Sequence, residues 1–331
     1  MATKTDVILK RLSDYEPMEV DWLWNPYIAR GMLTIVEGDP NVGKSYFTMH
    51  LAAMVTVGGE LPDGQKLDKE SVYFLSAEDV PEVTVRPRIE ALGGNPRKVW
   101  FPDEPITFTD DTLDKLDLHL SRSIVGRVIV DTLFSFLPDG VDTSKPAAIR
   151  ERLHALAQLA QKHSCAIVIV RHWTKGDRGK AIYRGGGLID IIGVARSGLT
   201  IAVHPEDPKL RVMAHMKHNL SERGDSRVFE LVKHDDNVLP VLVWRGTTDI
   251  TADTLEASGN GAPKALELAI KFLRQELKDG PRAASLIKTA AKAKDIASRT
   301  LERAKKELSI RSKKSDDLWI WSLPLDAGSS N

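Results

Sequence analysis

A single cysteine, Cys165, stands among 331 residues. With no second thiol there is no disulfide framework, and a reducing compartment is expected. Beside the apolar run 166–170, Cys165 reads as a small core residue. The N-terminus carries no apolar signal segment, and no apolar stretch approaches the roughly 20 residues that a membrane span requires. A cytoplasmic protein with no membrane partner is therefore expected. Internal repeats and low-complexity tracts are missing too. Net charge is zero, with 46 lysines and arginines against 46 aspartates and glutamates. That balance is uneven along the chain. Residues 264–331 carry 15 basic against 9 acidic side chains, leaving 31 against 37 in residues 1–263. A basic tail on an acidic body suggests an anionic partner.

With 42% hydrophobic and 28% charged residues, the chain suits one large core and a small second module rather than disorder. Apolar, strand-like runs fall at residues 32–36, 71–76, 128–131, 166–170, 198–203, 211–216, 228–232 and 238–244. Continuous β-rich runs separated by helices predict an α/β fold with a buried, mostly parallel sheet. Residues 147–163 place Ile149, Leu153, Leu156 and Ala160 on one helical stripe, the crossover of a β-α-β unit. After Gly198 the strands follow one another without long helices, so the late sheet should turn antiparallel.

Residues 248–263 lack apolar periodicity and end in small, turn-forming residues, which reads as a linker. Three regions follow: 1–247, 248–263 and 264–331. The last shows three helical runs, the turn Asp279-Gly280-Pro281 and the alternating tail Leu318-Trp319-Ile320-Trp321, the outline of a winged helix-turn-helix.

The most specific motif is Gly38-Asp39-Pro40-Asn41-Val42-Gly43-Lys44-Ser45. It is a complete phosphate-binding loop set between a strand-like run and a helix-like run. Gly38 and Gly43 can take positive φ, which turns successive N–H groups around phosphates. Lys44 can reach the β and γ oxygens, Ser45 can hold Mg2+, and the helix N-terminus attracts the same charge. Residues 38–45 together with Tyr46 are the expected ATP contacts. Phosphoryl transfer also needs a second metal partner and a group that orients water. Asp131, ending the run Val128-Ile129-Val130, suits the metal. Glu78, in Phe74-Leu75-Ser76-Ala77-Glu78-Asp79, can polarise water.

In this order the elements resemble the RecA-like ATPase family, and within it the plasmid and phage RepA-type hexameric helicases with their DnaB and KaiC relatives. The resemblance covers residues 22–244. It implies that Glu78 is the catalytic base and that His172, in Arg171-His172-Trp173, senses the γ-phosphate. It further implies a homo-oligomer, a hexameric ring whose sites lie between subunits. Arg196 resembles the arginine finger, and Lys217 the lysine of a K-x-R or K-x-N motif. Asn219 stands where DnaB-like members often carry arginine, which favours Arg196. A fused primase or DnaB-like N-terminal domain, which would argue for a replisome helicase, is not expected. The family alternatives are a KaiC-like regulatory ATPase and a recombination mediator that does not unwind DNA.

Two loops, 133–146 and 173–187, follow strands at the edge where this family threads single-stranded DNA. The second carries Lys175, Arg178, Lys180 and Arg184 among glycines, cations suited to tracking phosphates, with Trp173 or Tyr183 able to stack on a base. In the C-terminal module Leu301, Ala304 and Leu308 form an inward stripe. Arg299, Arg303 and Lys306 share another face, which suits duplex DNA in a major groove, with Arg311, Lys313 and Lys314 on phosphates. A protein partner is the other expectation there. Trp319, Trp321 and Pro324 resemble the "WxWxLP" tails of RecA-like ATPases from phage and mobile elements.

Overall fold

The β-rich runs of the first 250 residues assemble into one sheet, and the reason is visible in their burial. The computed structural model describes residues 9–122, 125–138, 140, 146–172, 189–233, 239–257, 262–294, 296–315 and 318–324. A small antiparallel pair, β1 (Trp22–Trp24) and β2 (Ile28–Ala29), precedes the central strand β3 (Leu33–Gly38) and helix α1 (Lys44–Val57). Next come β4 (Ser71–Ser76), α2 (Arg86–Ala91), β5 (Val99–Trp100), α3 (Asp110–Arg122), β6 (Val125–Asp131), α4 (Pro146–Lys162), β7 (Ala166–His172) and α5 (Ile189–Val194). Strands β8 (Ser197–Val203), β9 (Leu210–His218), β10 (Ser226–Val232) and β11 (Val241–Thr248) then follow in close succession.

Among the described residues the sheet has nine strands in the order β11-β10-β9-β8-β3-β7-β6-β4-β5. Pairings from β8 through β5 are parallel, whereas β8/β9, β9/β10 and β10/β11 are antiparallel. The mixed, mostly parallel architecture matches the expectation, including its antiparallel late strands. Its cause is alternation with apolar residues on both faces. On β7, Ala166, Val168 and Val170 join the core beneath α1, while Ile167 and Ile169 join the core beneath α4. The α4 stripe of Ile149, Leu153, Leu156 and Ala160 is wholly buried there. Truncating Leu153 to alanine would cost about 2–5 kcal/mol.

Differences from the sequence reading lie in short or polar elements. Strands β1, β2 and β5 are too brief to show alternation. The stretch read as a linker contains the end of β11 and helix α6 (Ala252–Ala257), whose Ala252 and Leu255 pack with Val212, Ala214 and Val228. One helical turn holds too few apolar positions for a period to register. Beyond it run α7 (Ala262–Glu276), β12 (Arg282–Ala283), α8 (Ala284–Ala293), α9 (Ser298–Glu307), β13 (Arg311–Ser315) and β14 (Leu318–Ser322). Their three-stranded antiparallel sheet has the order β12-β14-β13. Leu273, Ile287, Leu301, Ala304 and Trp321 form a separate core.

Candidate active site

Parallel strands that alternate with helices leave a crevice at their carboxyl ends, where ligands of such sheets bind. Gly38 at the end of β3 stands opposite His172 at the end of β7, and Ser76 at the end of β4 stands opposite Asp131 at the end of β6. The loop between β3 and α1 projects over this edge. Gly38 has φ 154 and Gly43 φ 98, and a Cβ on Gly38 would collide with the carbonyl oxygen of Ile201. The first glycine is therefore required by β8 passing close beside it. Gly43 is the N-cap of α1 and supplies no side-chain cap. The N–H groups of the first turn are thus left for an anion.

Lys44 is buried, and its ammonium donates to the carbonyls of Gly38 at 2.9 Å and Asp39 at 2.6 Å and to His172 Nδ1 at 3.0 Å. Burial lowers its pKa to about 8, against the opposing pull of Asp131, Asp39, Glu78 and Glu37. Asp131 is its counterpart. Burial raises this carboxyl to about 6, while a hydrogen bond from Ser45 and the charge of Lys44 draw it back. Among the described residues its Oδ2 is buried without a hydrogen-bond partner. An orphaned carboxylate oxygen beside a serine hydroxyl suits a hard cation. Together with the uncapped helix start, this donor set fits a nucleotide phosphate with Mg2+.

Glu78 follows β4 and is exposed. Its Oε1 accepts from Thr132 Oγ1 at 3.3 Å and Ser135 Oγ at 3.5 Å, and its charge is felt by Lys44, Asp131 and His172. His172 is pushed below the ordinary imidazole range by burial and then by Lys44. It accepts from Lys44 and so carries its own proton on Nε2. The fold thus brings Lys44, Ser45, Asp131, Glu78 and His172 to one place.

A family model described as "AAA domain" matches residues 3–178. The chain belongs to the AAA domain family. Among curated proteins, it is similar to the DNA repair protein RadA of Halalkalibacterium halodurans, with 26% identity over 151 residues. That match covers 45% of this chain and 29% of the relative, so the chain spans less than a third of that protein's length. Among solved structures, the RadB recombinase aligns at 18% identity and a TM-score of 0.46, over 62% of this chain and 89% of that one. The sheet that carries the crevice is mixed and mostly parallel.

The AAA domain match takes in every residue gathered at the crevice and ends before Arg196 and Lys217. Both of these lie elsewhere. Ser197 pairs with Thr34 and His218, so Arg196 and Lys217 occupy the sheet edge opposite Gly38. Arg196 is exposed. Lys217 donates to the carbonyls of Ile192 at 2.5 Å and Gly193 at 3.3 Å, and burial and then Arg196 lower its pKa. Within one subunit neither cation belongs to the crevice that holds Lys44 and Asp131. Lys175, Arg178, Lys180 and Arg184, with Trp173 and Tyr183, lie outside the described residues. Arg303 and Lys306 are exposed on α9, and the side chain of Arg299 is outside the description.

Some neighbours of the site were invisible to sequence reasoning. Arg171 and Glu37, cross-strand partners, form a buried ion pair directly beneath the His172 and Gly38 strand ends. Tyr46 lies under the guanidinium of Arg88, 4.8 Å from its ring centre. Behind α1, Phe47 and His50 pack on Trp244, whose Nε1 lies 3.1 Å from His50 Nε2. Only the acidic residue beside a strand partner's arginine offered a signal, and it is a weak one.

Proposed function

We propose that this protein hydrolyses ATP with Mg2+ and works as a ring, a hexamer, on single-stranded DNA. Its role is that of a RepA-type helicase in replication of a phage, plasmid or other mobile element. The convergence of Lys44, Ser45, Asp131, Glu78 and His172 at one sheet edge carries this reading. Residues 38–46 cradle the phosphates, and Ser45 and Asp131 hold the metal. Held there, Mg2+ would supply positive charge against the charge that develops on the phosphate. Glu78, steadied by Thr132 and Ser135, orients the attacking water and accepts its proton. His172 donates its Nε2 proton toward the γ-phosphate side. The exposed Arg196 acts on a neighbour's site, with Lys217 beside it as the second cation.

In the C-terminal module the order of helix, strand, two helices and two strands supports a winged helix. Its face with Arg303 and Lys306 suits duplex DNA. The basic loop after β7 is assigned to the single strand.

The similarity to a protein named for DNA repair favours a second reading, a recombination mediator that binds DNA without unwinding it. Steady-state ATPase, with and without single-stranded DNA and across protein concentration with size measured in parallel, tests the proposal. Turnover that rises many-fold with DNA as rings form supports the motor. Turnover indifferent to DNA and concentration overturns it and leaves a regulatory ATPase.

A further inference from the structure

The C-terminal module carries a groove that the nucleotide chemistry does not use. It opens where the β13–β14 hairpin parts from α8 and α9, with a volume of about 650 Å³, within the range of ligand-binding clefts. Trp321 is its buried floor. Trp319 and Leu318 stand at its wall, 55% and 54% exposed. An indole and an isobutyl group this far from cover are the kind of apolar patch that marks an interaction site.

Two lysines line the same groove. Lys305 Nζ lies 4.3 Å and Lys288 Nζ 5.6 Å from the centre of the Trp321 ring. Because that ring is fixed in the module core, both ammonium groups are held near it, one from each helix. Glu302 sits between them, 3.4 Å from Lys288 and 4.0 Å from Lys305. One carboxylate is thus shared by two ammonium groups, and the groove keeps a net positive charge beside an apolar wall. Arg303 belongs to a different face of α9, about 100° round from Glu302 and 160° from Lys305, whereas Lys306, four residues after Glu302, borders the groove's face.

The geometry points to a docking groove for an acidic peptide segment of a partner protein, with an apolar side chain against Trp319 and flanking carboxylates on Lys288 and Lys305. Glu302 already occupies the position that such a carboxylate would take. The same group disfavours a nucleic-acid strand, which brings a phosphate at every step and no apolar anchor. Lysines rather than a guanidinium fork also suit carboxylates taken singly. The site is independent of ATP turnover, so its failure would leave the motor reading untouched.

The test uses the full chain. A random dodecapeptide display library is selected on it and counter-selected on the Trp319→Ser variant. The enriched peptide is then titrated by fluorescence anisotropy, with an oligothymidylate as the second probe. The fluorine spectrum of fluorotryptophan-labelled protein, with Trp319 assigned through Trp319→Phe, reports the place of binding. Enrichment of aspartate- and glutamate-flanked apolar residues is expected, along with a shifted Trp319 resonance. Lys288→Gln and Lys305→Gln should each weaken the peptide by about tenfold. Glu302→Gln should instead strengthen it several-fold, which a merely structural carboxylate would not do. Four results would overturn the assignment: no enrichment, enrichment of neutral or basic sequences, unchanged affinity in Glu302→Gln, or a Trp319 shift with oligothymidylate alone.

Discussion

Lys44 donates to Nδ1 of His172 across 3.0 Å, joining the phosphate loop to the end of β7. The contact lies between residues 128 positions apart in sequence and depends on β3 and β7 being direct neighbours. A protonated imidazole has no lone pair on Nδ1, so the bond holds only with neutral His172. Burial and the Lys44 charge both favour that neutral form. His172 therefore presents one proton, on Nε2, at neutral pH.

The depressed pKa of Lys44, about 8, predicts proton uptake on nucleotide binding. Below that value the ammonium is already charged and phosphate takes up no proton there. Near pH 9 most molecules carry a neutral amine, and a phosphate beside it restores the charge, drawing in about one proton. Calorimetry of nucleotide binding in two buffers of different ionisation enthalpy should show uptake that grows from pH 7 to 9. Lys44→Ala should abolish both the uptake and turnover. Unchanged ATPase in that variant would sink the nucleotide assignment.

Asp131→Asn should separate stability from function. The wild-type carboxyl is raised to about 6 in the fold by burial. Its protonated form is the favoured one, so its contribution to stability is fully present below the unfolded value near 4 and is lost as pH rises through about 6. Above that, the buried charge costs about 3 kcal/mol. Asparagine avoids this cost. The variant should melt higher than wild type at pH 7 in the absence of nucleotide, with the gap closing by about pH 4. Its divalent-dependent turnover should fall by at least about 100-fold, the scale of one lost charge-stabilising group. Equal melting temperatures at pH 7 would show that Asp131 is not under electrostatic strain.

How much of this was legible depends on the reach of each signal. The phosphate loop was, because its glycine spacing and flanks lie within a dozen residues and each letter has a steric or charge reason. Asp131 and Glu78 followed from strand-end positions, since a parallel sheet sends all its strand ends to one edge. Contacts between distant segments left no trace. Trp24 meets Trp244 edge-on, and Glu70 Oε2 accepts from both Arg30 and Arg127, but no periodicity links those positions. Helix α6 was missed for a different reason: Ala252 and Leu255 are too few to make a stripe.

The Glu37–Arg171 pair under the loop should be structurally essential. Both side chains are buried, at 0% and 2% exposure, and the guanidinium Nε donates to Glu37 Oε2 at 2.7 Å. Removing one partner leaves an uncompensated buried charge, so Glu37→Gln or Arg171→Met should cost about 3–5 kcal/mol. Urea unfolding reads this as a lower midpoint with an unchanged slope. A loss below about 1 kcal/mol, the scale of an exposed pair, would mean that water reaches these groups.

Arg196 offers the sharpest test of a site shared between subunits. It is exposed at the sheet edge opposite Gly38, so it has no route to the phosphate loop of its own chain. If it serves a neighbour, Arg196→Ala and Lys44→Ala should each be inactive alone. Mixed together, some interfaces would join an intact loop from the first to an intact arginine from the second. With random mixing in equal amounts, activity should recover to about a quarter of wild type, because half the loops are intact and half of those meet an intact finger, and a single finger is worth about 10³–10⁵ in rate. The loss in Arg196→Ala alone should lie in the turnover step rather than in nucleotide affinity. No recovery, in mixtures shown by size to assemble normally, would assign Arg196 to a surface role. The carboxyl-edge site would then be complete within one chain.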